Sequence, residues 1–170
     1  NRCDVGYAVK YREYKNGKLM KEYYEGYQDQ NLIAISDREK GVAAIEYIYN
    51  NNGQKEKEWY LDTGGELALR SDIGCASLEF RYDNTGRCSG ESYYGTKNEP
   101  IIRQDKGYAA VEHEYDEFGQ CLSSRFFDTD GNAVISKEDH CAGYEYGYDD
   151  WGNTTDYKYI GLDGSLMIRR

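Results

Sequence analysis

The chain has 170 residues, of which 39% are hydrophobic, 31% charged and 15% aromatic, and 19 are Tyr. So many rings argue against disorder, which is poor in aromatics, and a formal net charge of −10 sets the surface against phosphate backbones, so nucleic acid is not an expected partner. No stretch approaches the ~18 apolar residues of a spanning helix, so no membrane span is expected, and one Pro against 19 Gly suits many short strands joined by tight turns.

The sequence begins at Asn1 and not at Met, which reads as a processed or excised part of a larger parent chain. The five cysteines, Cys3, Cys75, Cys88, Cys121 and Cys141, form no C-x-x-C pair, so neither a zinc nor a redox motif is indicated. Their odd number leaves at least one thiol outside any pairing within the chain.

Taken in order, the chain reads as one repeat domain over 1–170, with five copies at about 6–40, 41–73, 74–106, 107–139 and 140–170. The first copy is marked by Gly6, Ala8, Tyr14 and Gly17, at a spacing of 35 from the second. From there the period is 33: Gly41, Gly74 and Gly107 recur, with His140 in the next place, and Tyr49, Tyr82, Tyr115 and Tyr148 keep the same spacing. So do Ala43, Ala76, Ala109 and Ala142, then Gly53, Gly86, Gly119 and Gly152, then Tyr60, Tyr93, Phe126 and Tyr159.

Each copy opens with period-2 alternation, for example Ala109, Val111, His113 and Tyr115 on one face and Glu112 and Glu114 on the other, which predicts a half-buried strand. The recurring tyrosines at 49, 82, 115 and 148 are expected to be equivalent buried positions. An Asp-x-x-Gly turn follows, suited to a type I turn closed by a G1 bulge. A second strand ends in a pair such as Tyr60-Leu61 or Phe126-Phe127, a second turn follows at Asp128 to Gly131 and Leu162 to Gly164, and a short apolar segment closes the copy, as at Leu67-Leu69 and Leu166-Ile168. A charged connection such as Arg103-Gln104-Asp105-Lys106 leads onward. Lys55-Glu56-Lys57-Glu58 has helical propensity but occupies a strand slot, so it is read as an exposed strand of alternating charge.

Copies related by translation need an even number of chain reversals, which favours two principal strands per copy with the closing segment packed across the sheet. The expected fold is therefore all-β: an elongated, mostly antiparallel array of five β-hairpin repeats of about 33 residues. Two strands per copy would place equivalent residues about 9–10 Å apart, beyond the roughly 7 Å that a disulfide tolerates. Cys88 and Cys121, one period apart, are therefore not expected to bond.

The segments Tyr82-Asp83-Asn84-Thr85-Gly86-Arg87, Tyr115-Asp116-Glu117-Phe118-Gly119 and Tyr148-Asp149-Asp150-Trp151-Gly152-Asn153 resemble the YD (Tyr-Asp) hairpin repeats of Rhs-type and teneurin proteins, and Asp130-Gly131 and Asp163-Gly164 fit that style. The resemblance implies an extracellular or cell-surface hairpin array serving as a shell, a stalk or a carbohydrate-contacting surface. The chain departs from the pattern in its longer unit, in Tyr14-Lys15 and Tyr49-Asn50, and in having Arg after Gly only at Gly86. More loosely, it is similar to aromatic and glycine hairpin repeats of choline- or glucan-binding cell-wall modules, which carry more Trp than Trp59 and Trp151.

Catalytic and metal-binding constellations are not indicated, and no cofactor is expected. Asp128-Thr129-Asp130-Gly131-Asn132 has the look of a calcium loop, yet Asp139 stands where an EF-hand loop needs Glu, and turn chemistry accounts for the motif. Glu46, Glu79, Glu112 and Glu145 form a ladder and not an isolated catalytic pair, and are expected to meet Lys or Arg on neighbouring strands. His113 shares its slot with Tyr47, Phe80 and Tyr146 and reads as a packed ring; His140 takes a glycine slot.

The aromatics that break the repeat point to binding. Trp59 occupies the slot of Ser92, Arg125 and Lys158, which suggests exposure, and Phe118 and Trp151 occupy the turn-tip slot of Asn52 and Thr85. Such tip rings either offer a stacking face to a ligand or fold back onto the next copy. Trp59, Phe118 and Trp151 are the candidate ligand-binding residues. The expected function is a non-enzymatic surface or secreted module for adhesion, with a glycan or cell-wall component as partner. The alternative is a structural spacer or shell segment with no ligand of its own.

Overall fold

The computed structural model describes residues 9–28 and 31–167, so Cys3, Gly6, Ala8 and Ile168 lie outside the described residues. Eleven strands account for well over a third of the chain: β1 (Val9–Lys15), β2 (Lys18–Gln28), β3 (Asn31–Ala34), β4 (Ala44–Tyr49), β5 (Lys55–Leu61), β6 (Ser77–Tyr82), β7 (Cys88–Tyr94), β8 (Ala110–Tyr115), β9 (Cys121–Phe127), β10 (Gly143–Tyr148) and β11 (Thr154–Ile160). The fold is all-β, with no helix among the described residues. The sheet is open and antiparallel, in the order β1-β2-β4-β5-β6-β7-β8-β9-β10-β11, with β3 on β2. Backbone contacts group the chain into two units, one running to Glu79 and including Tyr94–Glu99, the other comprising Phe80–Tyr93 and the chain from Pro100 onward.

Each hairpin is set by its turn. Asp116 N–H donates to the Gln120 carbonyl at 3.0 Å, while Asp116 Oδ1 accepts from the Phe118 and Gln120 amides at 3.0 and 2.8 Å. Asp83 and Asp149 do the same in their own turns, and Asn50 does it with its amide oxygen. A short side-chain acceptor is needed there, which is why Asp or Asn recurs. Gly119 and its counterparts sit in the left-handed region, with φ of 90° at Gly119, and the strand register shifts between Glu114 and Tyr115, as a G1 bulge requires. The first hairpin instead turns on Asn16-Gly17, with φ of 51° and 77°, a shorter two-residue turn. In that first copy the closing segment is a true strand, β3, paired with β2 over four residues. Later copies make single antiparallel bridges, Leu61 with Leu67, Phe127 with Ala133 and Ile160 with Leu166.

Junctions between hairpins share one register over three residue pairs. Lys21–Tyr23 meet Ala44–Glu46, Lys57–Trp59 meet Ser77–Glu79, Gly90–Ser92 meet Ala110–Glu112, and Ser123–Arg125 meet Gly143–Glu145. Beyond the third pair a side chain continues the tie. Tyr49 Oη donates to the Leu19 carbonyl at 2.9 Å, Tyr115 Oη to Cys88 at 2.8 Å and Tyr148 Oη to Cys121 at 2.8 Å. This corrects the expected burial of Tyr49, Tyr82, Tyr115 and Tyr148: all four are half-buried, and at Tyr49, Tyr115 and Tyr148 the reason is that the phenol must reach the strand edge.

The most deeply buried rings, Tyr24, Tyr60 and Tyr93, lie on the second strands, and Phe126 in the same slot is buried too; Val42, Cys75 and Ala76 in the first unit and Cys141 and Ala142 in the second are also core residues. Cys75 and Cys141 thus occupy the slot of Val42 and Tyr108 as core residues. Cys88 and Cys121 are not bonded to each other; their thiols point at the Gly90 and Ser123 carbonyls.

The charged connections fold into one-turn loops that close on a left-handed residue. Gly74 N–H donates to the Arg70 carbonyl, Gly107 to Arg103 and His140 to Ser136. Successive loops also touch: Ser71 N–H donates to the Lys40 carbonyl and Lys137 N–H to Lys106, at 2.7 and 2.9 Å. His140 holds a φ of 56° where the other copies have Gly.

Two stability measurements follow. Tyr148→Phe should cost about 1 kcal/mol in denaturant unfolding, the net worth of a hydrogen bond whose loss leaves the Cys121 carbonyl unmet; no change would show that the hydroxyl does not tie the junction. His140→Gly should stabilise by up to about 1 kcal/mol, since relief of the left-handed strain exceeds the added chain entropy. A lower unfolding midpoint would contradict that balance.

Candidate functional site

The polar face of the sheet carries the expected carboxylate ladder, and each glutamate has a cation. Glu46 pairs with Lys21 at 2.7 Å, Glu79 with Lys57, Glu112 with Arg81 at 2.9 Å and Glu145 with Arg125 at 2.8 Å. Arg81 reaches Glu112 past Gly90, where an added Cβ would lie 2.7 Å from the guanidinium. These partly exposed pairs contribute about 0–1 kcal/mol each and serve register more than chemistry.

Trp59 belongs to this face. It stands in mid-β5, opposite Glu46 and Ser77, and is 37% exposed. Its slot is not uniformly open, as the sequence suggested: Ser92 is buried and Lys158 exposed, because inter-hairpin pairing covers the one and not the other. In the same strand Glu56 is exposed, whereas Glu58 turns inward and accepts from Tyr60 Oη at 2.8 Å. The alternating-charge strand is therefore charged on both faces and exposed on one.

Phe118 and Trp151 are 82% and 86% exposed, so neither ring folds back onto its neighbour. Both line one groove of about 560 Å³ in the second unit, together with Leu122, Tyr146, Asp116 and Asp149. The turns dictate this placement. Phe118 and Trp151 each give a backbone N–H to the turn aspartate, which fixes the backbone and leaves the side chain directed outward. Asp149 is held below the usual carboxylate range by hydrogen bonds from the Asn153 side chain and amide, so the groove keeps negative charge into acid. Trp59 lies in the first unit and does not line this groove.

The calcium-like loop is occupied by turn bonding. Asp128 Oδ1 accepts from the Asp130 and Asn132 amides at 2.9 and 2.8 Å, and these contacts lower its pKa. Among the described residues no group of three or more His, Cys, Asp or Glu is placed to hold a metal ion.

Two polar clusters escaped the sequence reading. In the first unit, Glu22 is nearly buried between Lys10 at 2.6 Å, Arg12 at 2.8 Å and Tyr47 Oη at 3.2 Å. Desolvation alone would raise its pKa, but the hydrogen bonds from Lys10 and Arg12 outweigh burial and lower it. In the second unit, His113 Nδ1 lies 2.9 Å from Ser124 Oγ. Burial there lowers the imidazole pKa, opposed by the charge of Glu91.

The lowered His113 pKa has a defined sign. The unfolded chain binds its proton near pH 6.5, and the folded chain resists it, so stability falls as pH drops below about 6.5. The lowered turn aspartates act with the same sign in a lower window, contributing stability that is lost only below about pH 4. Thermal melts of wild type and His113→Phe, the residue of the Phe80 slot, should differ in slope between about pH 5 and pH 7, with the variant flatter. Parallel slopes would show that His113 does not govern this window.

Among the described residues no helix is long and apolar enough to cross a membrane. No protein-family model matches the sequence. No curated protein matches it significantly.

Proposed function

We propose that this chain is a non-enzymatic adhesion module of a larger surface or secreted protein, with glycans or cell-wall components as its ligands. One observation carries the reading: two turn-tip rings, 82% and 86% exposed, share one groove of about 560 Å³ edged by carboxylates. Rings that stay out of the core offer flat faces to sugar rings, and carboxylates beside them accept hydroxyl hydrogen bonds. The groove falls in the ~300–1,000 Å³ range of small-ligand sites. The likeness of the Tyr-Asp-x-x-Gly hairpins to YD repeats supports the same assignment and an extracellular or cell-surface location.

Phe118 and Trp151 are the primary contacts under this proposal, and Trp59 is a secondary one on the ion-pair face. Each ring contact contributes about 0.5–2 kcal/mol, so a single site is weak, and firm adhesion needs several engaged at once. The repeated junction register favours a second reading, a spacer whose regularity is its whole purpose.

A glycan and cell-wall array separates the two. Wild type should bind a defined subset, Phe118→Ala/Trp151→Ala should lose at least about tenfold in affinity, equivalent to ~1.4 kcal/mol, and Trp59→Ala should lose less. A folded wild type that binds nothing on the array would leave the spacer reading standing.

A further inference from the structure

The fourth copy is smaller inside than the two before it, at three related positions. In the second copy Tyr60 Oη donates to Glu58 Oε2 at 2.8 Å, and the Arg70 guanidinium lies 5.1 Å from the Tyr60 ring centroid. The third copy repeats this with Tyr93, Glu91 and Arg103, at 2.9 Å and 5.1 Å. The fourth copy has Ser124, Phe126 and Ser136 in those places, and so lacks the carboxylate, the phenol hydroxyl and the guanidinium. Instead Tyr108 stacks on Phe126 with centroids 4.6 Å apart. An open cavity of about 460 Å³ lies there, reached by His113, Ser124 and Phe126. The third copy contributes Glu91 and Arg103 to its wall, and the fifth copy contributes Tyr144 and Tyr146.

We propose that this cavity is a separate binding site for a neutral pyranose sugar. Its fixed charges cancel. Arg103 and Lys106 stand against Glu91 and Asp139 in the lining, and each already has a partner: Arg103 pairs with Asp105 at 2.7 Å and Lys106 with Glu138, while Glu91 accepts from Tyr93 Oη and Asp139 from Ser136 Oγ, both at 2.9 Å. An anion would meet Glu91 and Asp139, and a cation would meet Arg103 and Lys106, so either would enter at an electrostatic cost. An uncharged ring carrying several hydroxyls meets neither penalty. Its apolar face suits the half-buried Tyr146 ring of the same lining, and its hydroxyls suit the carboxylates, the Ser124 hydroxyl and the imidazole, which between them donate and accept. The volume lies within the ~300–1,000 Å³ of small-ligand sites. Of its lining only Tyr146 is shared with the turn-tip groove, so the site does not depend on the tip-groove reading.

The repeat supplies its own control. Ser124→Glu/Phe126→Tyr/Ser136→Arg writes into the fourth copy the trio that the second and third copies fold around. Glucose, galactose and N-acetylglucosamine are titrated in turn into the isotope-labelled chain, with amide chemical shifts as the readout. At least one sugar should give saturable shifts at His113 and Ser124 with a Kd of about 1 mM. The refilled variant should lose at least about tenfold of that affinity, ~1.4 kcal/mol, and Phe118→Ala/Trp151→Ala should keep it. If the triple variant loses its dispersed spectrum, Ser124→Tyr, the residue that the fifth copy carries as Tyr157, replaces it as the filling change. No saturable shift at these amides with any of the three sugars overturns the proposal, and so does unchanged affinity in the filled variant. Loss in the tip variant alone assigns the sugar to the tip groove and also overturns it.

Discussion

Backbone pairing between successive hairpins stops after three residue pairs, and at that point a tyrosine hydroxyl takes the place of the next ladder bond. A strand that left its neighbour there without compensation would leave the Cys88 or Cys121 carbonyl unsatisfied against a half-buried ring, at a cost of about 1–3 kcal/mol. The phenol avoids this because its ring packs at the sheet while its oxygen reaches the edge. A phenylalanine could pack but not bond, and a serine could bond but not reach. The constraint explains why Tyr precedes the turn at Tyr49, Tyr115 and Tyr148, and why the ring is half-buried and not buried.

The turn itself depends on the neighbouring Asp or Asn. Arg87 shows how far the two are coupled: its guanidinium donates to Asp83 Oδ2 and to the Asp116 carbonyl, both at 2.7 Å, and lies 5.0 Å from the Tyr115 ring centroid. One side chain thus joins the turn of one copy to the turn and tyrosine of the next. Where no arginine follows the glycine, the Tyr148 hydroxyl still makes its backbone bond.

Much of this was legible in the sequence because each repeated residue answers a local rule. The Asp-x-x-Gly spacing marks the turn, period-2 alternation marks the strand, and the Glu ladder is paired by register. What was not legible depends on which residues the closing segments and loops cover. Tyr60 and Tyr93 are buried and Tyr49 is not, although all three are tyrosines within strands, because Tyr60 and Tyr93 lie where a closing segment hydrogen-bonds to their own carbonyls. The Glu58-Tyr60-Arg70 cluster spans a strand, a turn and a loop, so no single spacing announces it. Joint change at three slots, to Ser124, Phe126 and Ser136, was the available signal. The tip groove was half legible: repeat-breaking rings pointed to Phe118 and Trp151, and Trp59 is exposed as its slot suggested, but the repeat did not say that Trp59, on a strand flanked on both sides, stands apart from the groove.

The tip slot shows why repetition makes departures informative. Asn52, Thr85, Phe118 and Trp151 each donate a backbone N–H to the turn acceptor; Thr85 adds its hydroxyl to Asp83 at 2.7 Å, but the turn closes equally over Phe118 and Trp151, whose rings cannot make that bond. Burial of a large ring would contribute about 25 cal/mol per Å² of apolar surface, yet Phe118 and Trp151, at 82% and 86% exposure, collect little of it. Their hydrophobic free energy is not spent in folding and stays available for association. A partner that covers both rings gains what the fold left unused, and the turn has already fixed the backbone beneath them, so less entropy is lost when they are covered. Rigid turns under exposed rings therefore favour binding at the hairpin tips over binding on the ion-paired face, where every cation–carboxylate contact must compete with water and with the ligand at once.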